Sequence, residues 1–182
     1  SNTFSGKIDG NGHTIYGLYN NQNPSKYISY PTASALIPAV TGASVTIKNL
    51  GIDNAFINYE TNVSAFVGYL PANSSLIFDK CFVGDKVNLE GGFAGAFNGR
   101  ADNNTAVTIT NSYSLAKMTS HPVESGKAYN AGFCGNHNGC STSVTVKNSF
   151  NGAGPIFSEY YTTPKSAENC YQTADNAPTG VT

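Results

Sequence analysis

The chain has 182 residues, with ten basic against eleven acidic side chains, a formal net charge of −1 and 12% of its residues charged. With a single arginine, Arg100, and no block of like charge, it lacks the cationic footprint that a nucleic acid requires. No run of eighteen apolar residues occurs, so no membrane-spanning helix is expected, and no Pro- or Ser-rich linker divides a length that suits one domain with an ample core.

From the N-terminus, Ser1-Asn2-Thr3 leads straight into Phe4-Ser5-Gly6-Lys7-Ile8 without a signal peptide. The chain therefore reads as a single domain, residues 1–182, excised from a longer protein. Asp9-Gly10-Asn11-Gly12 predicts a turn whose Asn and glycines suit positive φ, with His13 expected to hydrogen-bond it. The phrase Thr14-Ile15-Tyr16-Gly17-Leu18 then returns as Thr46-Ile47-Lys48-Asn49-Leu50 and as Ile77-Phe78-Asp79-Lys80-Cys81. It recurs in Val107-Thr108-Ile109-Thr110-Asn111-Ser112-Tyr113 and Val144-Thr145-Val146-Lys147-Asn148-Ser149-Phe150, with a degenerate copy in Ala167-Glu168-Asn169-Cys170-Tyr171. Counted from positions 17, 49, 80, 111, 148 and 169, the steps run from 21 to 37 residues and centre on 31, a solenoid period.

A second phrase alternates with the first: Ser64-Ala65-Phe66-Val67-Gly68, Gly92-Phe93-Ala94-Gly95-Ala96 and Ala131-Gly132-Phe133-Cys134-Gly135, with Ser34-Ala35-Leu36-Ile37 as a weaker early member. Both phrases are brief runs of Val, Ile, Phe and Thr bounded by Gly, Asn, Asp and Ser, which predicts at least two short strands per repeat and no long helix. A propeller blade needs roughly 40 residues and four strands, so the pattern predicts an all-β parallel β-helix of about six turns. Stacked about 4.8 Å apart, these turns would make a coil roughly 29 Å long. Ile15, Ile47, Ile77, Ile109 and Val146 are expected to point inward as one ladder, and Tyr16, Lys48, Phe78, Thr110 and Lys147 outward as the next. Asn49, Asn111, Asn148 and Asn169 are expected at a bend where side-chain amides bond along the axis.

Cys81 and Cys170 fall on one ladder about three turns apart, roughly 14 Å, which exceeds disulfide reach, so both are expected free and buried. Cys134 and Cys140 bracket Gly135-Asn136-His137-Asn138-Gly139, a loop able to close through a disulfide or to leave two reduced thiols. Zinc held by Cys134, His137 and Cys140 lacks a fourth ligand nearby, His121 has no evident partner, and no metal or cofactor is expected. Asp79, Asp85 and Asp102 are the available donors for a calcium site across turns, and adjacent turns would place Asp53 near Asp85 as a carboxylate pair. No nucleophile elbow, phosphate loop or zincin stretch appears, so no catalytic residue is assigned.

The neutral surface, rich in Gly, Asn, Ser, Thr and tyrosine, suits an extracellular module that meets glycans or other proteins. A sugar-binding platform would use outward aromatic faces, with Tyr27, Tyr30, Tyr59, Tyr160 and Tyr161 as candidates. A coil open at both ends would also rest against neighbouring domains of the same chain.

The opening Phe4-Ser5-Gly6-Lys7-Ile8-Asp9-Gly10-Asn11-Gly12-His13-Thr14-Ile15-Tyr16-Gly17-Leu18, followed by Ile47-Lys48-Asn49-Leu50-Gly51-Ile52 and Ala65-Phe66-Val67-Gly68, resembles the GLUG-type repeats of bacterial surface proteins. The resemblance implies a right-handed parallel β-helix from a secreted or wall-anchored bacterial protein. In such proteins the repeats serve in adhesion, in binding a glycan or a host or matrix protein, or as a rigid spacer, and carry no catalytic residue of their own. The chain departs from the pattern at Pro38, in the insertion Thr119 to Tyr129 and after Gly154. The alternative kinship is to pectin lyase or hydrolase-like β-helix enzymes, as the enzyme itself or its noncatalytic flank. Their paired aspartates, Gly-His-Gly and Arg-Ile-Lys segments are missing, and Gly12-His13-Thr14 is the nearest approach.

Overall fold

A computed structural model describes residues 3–22, 32–120, 130–135, 142–157 and 165–173, and every regular element among them is a β-strand. All pairings between these strands are parallel. The largest sheet has twelve strands and curls into a half-barrel. One row of it runs, in spatial order, Lys165–Glu168, Thr142–Lys147, Thr105–Thr110, Ser75–Asp79, Ile37–Asp53 and Thr3–Tyr16. These are successive copies of the first phrase, so each repeat pairs with the next repeat in sequence. A second row continues past the bend, with Ile37–Asp53 paired to Phe82–Val83, then Tyr113–Ser114, Phe150–Asn151 and Tyr171–Gln172.

Two smaller sheets follow the same rule. One stacks Tyr19–Gln22, Ala55–Tyr59, Val87–Gly91 and Lys117–Ser120, and the other stacks Ala33–Ser34, Asn62–Val63 and Phe93–Ala94. Residues on one face of each strand meet their counterparts of neighbouring repeats, which makes the core a set of columns. Ile47, Phe78, Ile109 and Val146 form one fully buried column, with the half-buried Ile8 at one end and Ala167 at the other. Val45, Leu76, Val107 and Val144 form the next. Phe66, Phe97 and Phe133 make an aromatic column with centroids 5.4 Å and 5.1 Å apart, and Phe78 packs against Phe97 edge-on at 5.2 Å. Fully burying each such ring is worth about 2–3 kcal/mol over leaving it exposed.

The register corrects three expectations. Ile77 is exposed and Phe78 buried, because Phe78 stands two residues before the left-handed Lys80 just as Ile47 stands two before Asn49, so the inward position of the third copy is Phe78. A one-residue shift exchanges the two faces of a strand, so the outward column is Asp9, Lys48, Asp79, Thr110, Lys147 and Glu168. In the first repeat Ile8, not Ile15, pairs with Ile47, while Ile15 pairs with Ile52. The three residues Gly10-Asn11-Gly12 bulge out where later repeats spend the single residue Asn49, and Asn11 and Gly12 there carry φ of 50° and 79°. In the second phrase Phe66 matches Phe97 rather than Phe93, because Val67 pairs with Asn98. Phe93 instead lies on the strand paired to Asn62, with the Arg100 guanidinium 5.3 Å from its ring centroid.

Candidate ligand-binding surface

The bend after the first row organises the most distinctive surface. Asn49, Lys80, Asn111, Asn148 and Asn169 all sit in the left-handed region, with φ between 49° and 53°. Asparagine tolerates this conformation far better than other residues with a Cβ, which explains its return in nearly every copy. The side-chain amides then bond along the stack: Asn169 Nδ2 donates to Asn148 Oδ1 at 3.2 Å, and Asn148 Nδ2 to Asn111 Oδ1 at 3.3 Å. Asn111 Nδ2 continues the chain to Asp79 Oδ1 at 2.7 Å, and Asn49 Nδ2 donates separately to Asp9 Oδ1 at 2.9 Å.

The residue after the bend points inward and closes it. Ser112 and Ser149 hydroxyls donate to the carbonyls of Thr110 and Lys147 at 2.6 Å and 2.7 Å, and the Cys170 thiol does the same to Glu168 at 3.2 Å. Cys81 occupies the equivalent place, its Sγ 3.5 Å from the Asp79 carbonyl, and burial pushes its thiol up to about 11. Ser and Cys interchange here because each brings a short donor to the same buried carbonyl. Neither Cys81 nor Cys170 is in a disulfide, and both are buried, as their shared column requires.

One residue further, the side chains point outward and are aromatic in four consecutive repeats: Phe82, Tyr113, Phe150 and Tyr171. Phe82 and Tyr113 stack with centroids 5.1 Å apart and planes 10° from parallel. Tyr113, Phe150 and Tyr171 are 39%, 38% and 59% exposed. The column ends at Gly51, where any Cβ would lie 2.3 Å from the Phe82 ring, so the glycine makes room for the first ring. Between the aromatic column and the asparagine column lies an open depression of about 540 Å³, walled by Asn111, Asn148 and Asn169 on one side and Tyr113, Phe150 and Tyr171 on the other. A second depression of about 470 Å³ borders Asn49, Gly51, Lys80 and Phe82, on the same columns. Burial is the largest cause raising the Tyr113 phenol, with the Asp53 charge adding to it, so the hydroxyl stays a donor at neutral pH.

The charged column beside the bend is internally matched. Lys48 meets Asp9 at 3.1 Å and Lys147 meets Glu168 at 2.7 Å. The side-chain bond from Asn49, the Asn11 backbone N–H and then Lys48 hold the Asp9 carboxyl down at about 2. Asp79 is also lowered, first by Asn111 and further by Thr110.

Of the tyrosines singled out in the sequence, Tyr27, Tyr30, Tyr160 and Tyr161 lie outside the described residues. Tyr59 offers no outward face, being 7% exposed on the same side of its strand as Ala55 and Ile57. Cys134 is a free, buried thiol with its pKa raised by burial, and Cys140, with His121 and His137, lies outside the described residues. Asp53 folds over Gly84, and its Oδ1 accepts the Asn54 N–H at 2.8 Å, while Asp85 is exposed. Asp102 receives the Tyr69 hydroxyl at 2.8 Å and lies 3.6 Å from Arg100. At the N-terminal turn Asp9, not His13, accepts the Asn11 N–H, at 3.0 Å. Among the described residues no three of His, Cys, Asp or Glu gather as a metal-binding group. The aromatic column was within reach of sequence reasoning, since Lys-Cys-Phe, Asn-Ser-Tyr, Asn-Ser-Phe and Asn-Cys-Tyr place a ring two residues after four of the five bends. No protein-family model, curated protein or solved structure matches the chain.

Proposed function

We propose that the chain is a non-catalytic, right-handed parallel β-helix module of a bacterial cell-surface or secreted protein, and that it binds carbohydrate. The single observation that carries the binding reading is the outward aromatic column Phe82, Tyr113, Phe150 and Tyr171 beside the asparagine column. Phe82 and Tyr113 cover part of each other by stacking, and the exposed parts of Tyr113, Phe150 and Tyr171 are what the apolar face of a sugar would meet, with amides alongside to pair with its hydroxyls. The β-helix reading draws support from the repeat-by-repeat parallel register in all three sheets. The surface location and the absence of catalysis rest on the resemblance to GLUG-type repeats. The non-catalytic reading alone gains support from carboxylates that are engaged in structural bonds: Asp9 with Asn49 and Lys48, Asp79 with Asn111, and Asp102 with Tyr69. Rings of this kind would anchor an adhesin to glycans.

The test is a glycan and matrix-protein array probed with the purified chain, with calcium and then with chelator, alongside a polysaccharide panel assayed for new reducing ends or unsaturated products. Glycan binding without product release is the expected result. Product release would overturn the non-catalytic reading, and an array blank in both conditions would leave a rigid spacer in place of a binding module.

A further inference from the structure

The carbohydrate-binding surface proposed above also constrains what it binds. Its rings are spaced by parallel strand pairing, about 4.8 Å per repeat, and they lie in one column rather than in a scattered patch. A column of evenly spaced rings matches a ligand that is itself periodic and extended. One pyranose unit of an extended chain is about as long as this spacing, so consecutive sugars can meet the outward edges and uncovered parts of consecutive rings, Phe82 and Tyr113 being stacked on each other.

The asparagine column supplies the polar half of the same register. In the chain of bonds through Asn111 and Asn148, each amide spends one N–H and one oxygen lone pair on its neighbours. A carboxamide has two N–H groups and two lone pairs, so at Asn111 and at Asn148 one donor and one acceptor remain to face a hydroxyl.

Charge decides the ligand class. Along the border, Asp9, Asp79 and Glu168 stand with Lys48, Lys80 and Lys147, and two of these pairs are closed at 3.1 Å and 2.7 Å. The wall is therefore balanced, whereas binding a polyanion needs a run of uncompensated cations. We infer that this surface takes an uncharged, linear polysaccharide, laid parallel to the stacking direction with one sugar unit per repeat across Phe82, Tyr113, Phe150 and Tyr171. This inference rests on the carbohydrate-binding reading and goes beyond it in naming charge, shape and direction.

The experiment uses the whole 182-residue chain. Affinity electrophoresis compares a linear glucan, a mannan and a xylan with polygalacturonate and alginate, at low and high salt. Calorimetry then follows a series of oligosaccharides of increasing length from the best neutral polymer. Binding to at least one neutral polymer, indifferent to salt, is the expected result, with affinity rising up to about four sugar units and then levelling, as four ringed repeats on the structure require. If a sugar on a ring is worth what an aromatic pair is, Tyr113→Ala, Phe150→Ala or Tyr171→Ala each weakens binding about two- to tenfold. Circular dichroism and melting confirm that each variant is folded. Salt-sensitive binding to the acidic polymers alone overturns this inference and keeps the binding module. Neutral binding that survives the triple alanine variant also overturns it, by placing the site elsewhere. Binding to no polymer of either kind overturns both.

Discussion

Replacing Asn148 in two ways separates the backbone role of the bend from its side-chain role. Asn148 has φ of 49°, accepts from Asn169 at 3.2 Å and donates to Asn111 at 3.3 Å, and its side chain is exposed. Losing two long, solvent-facing bonds costs about 0.5–1 kcal/mol. An alanine held in the left-handed region costs a further ~1–2 kcal/mol, whereas glycine adopts it freely but adds about 0.5 kcal/mol of entropy to the unfolded chain. Asn148→Ala is therefore expected to destabilise by about 2 kcal/mol and Asn148→Gly by about 1 kcal/mol, measured by urea unfolding with unchanged slope. The order of the two is diagnostic, because at an ordinary strand position alanine is the more stable. The same logic makes Lys80→Asn stabilising by about 1 kcal/mol, since Lys80 pays the left-handed strain at φ 53°. Asn148→Ala as stable as Asn148→Gly would refute the strain account, and so would a destabilised Lys80→Asn.

Two further outcomes bear on the core and on pH. Phe97 is fully buried against Phe66, Phe78 and Phe133, so Phe97→Ala is expected to cost about 3–5 kcal/mol and to lower the melting temperature by roughly 6–20 °C. Tyr113→Ala, on the outward column, should cost less than about 1 kcal/mol, and equal losses at the two sites would contradict the assignment of faces. Asp9 titrates in the folded protein at about 2, below the ordinary value near 3.9, so its stabilising effect is complete above about pH 4 and disappears as pH falls through about 2. Carboxyl NMR should locate that midpoint, and Asn49→Ala should raise it, because the Asn49 amide is the largest cause of the shift. An Asp9 midpoint near 4 in the unaltered chain would remove the argument.

The period was legible because each repeat needs the same bend, and asparagine is the residue that makes a left-handed bend at little cost. What could not be read directly was register. Gly10-Asn11-Gly12 does in three residues what Asn49 does in one, so the eye aligns Thr14-Ile15-Tyr16 with Thr46-Ile47-Lys48 when its true partners are Gly51-Ile52-Asp53. At the third bend Lys80 replaces asparagine, and the inward residue two places before it is Phe78, where the letter pattern suggested Ile77. A bulge and one unusual bend residue both conserve the backbone path while breaking the letter pattern, and faces follow the backbone. The inward side of Tyr59 follows from the same alternation, since it shares a face with Ala55 and Ile57.

In a stack of repeats, exposure is a property of a column before it is a property of a residue. Tyr59 judged alone therefore says little, whereas the position two after the bend carries a ring in four successive repeats and stays outward throughout. The asparagine column has been argued to serve the bend, and its geometry does so through φ alone. Its amides are left to bond one another on the surface, where water would satisfy them equally well. That order gives each repeat a polar group held at a fixed distance from a ring, and a fixed array costs a ligand less to meet than a mobile one. On the binding proposed above, the structural role and the binding role fall on the same residues without conflict: the backbone needs the asparagine's conformation, and the ligand would meet its side chain.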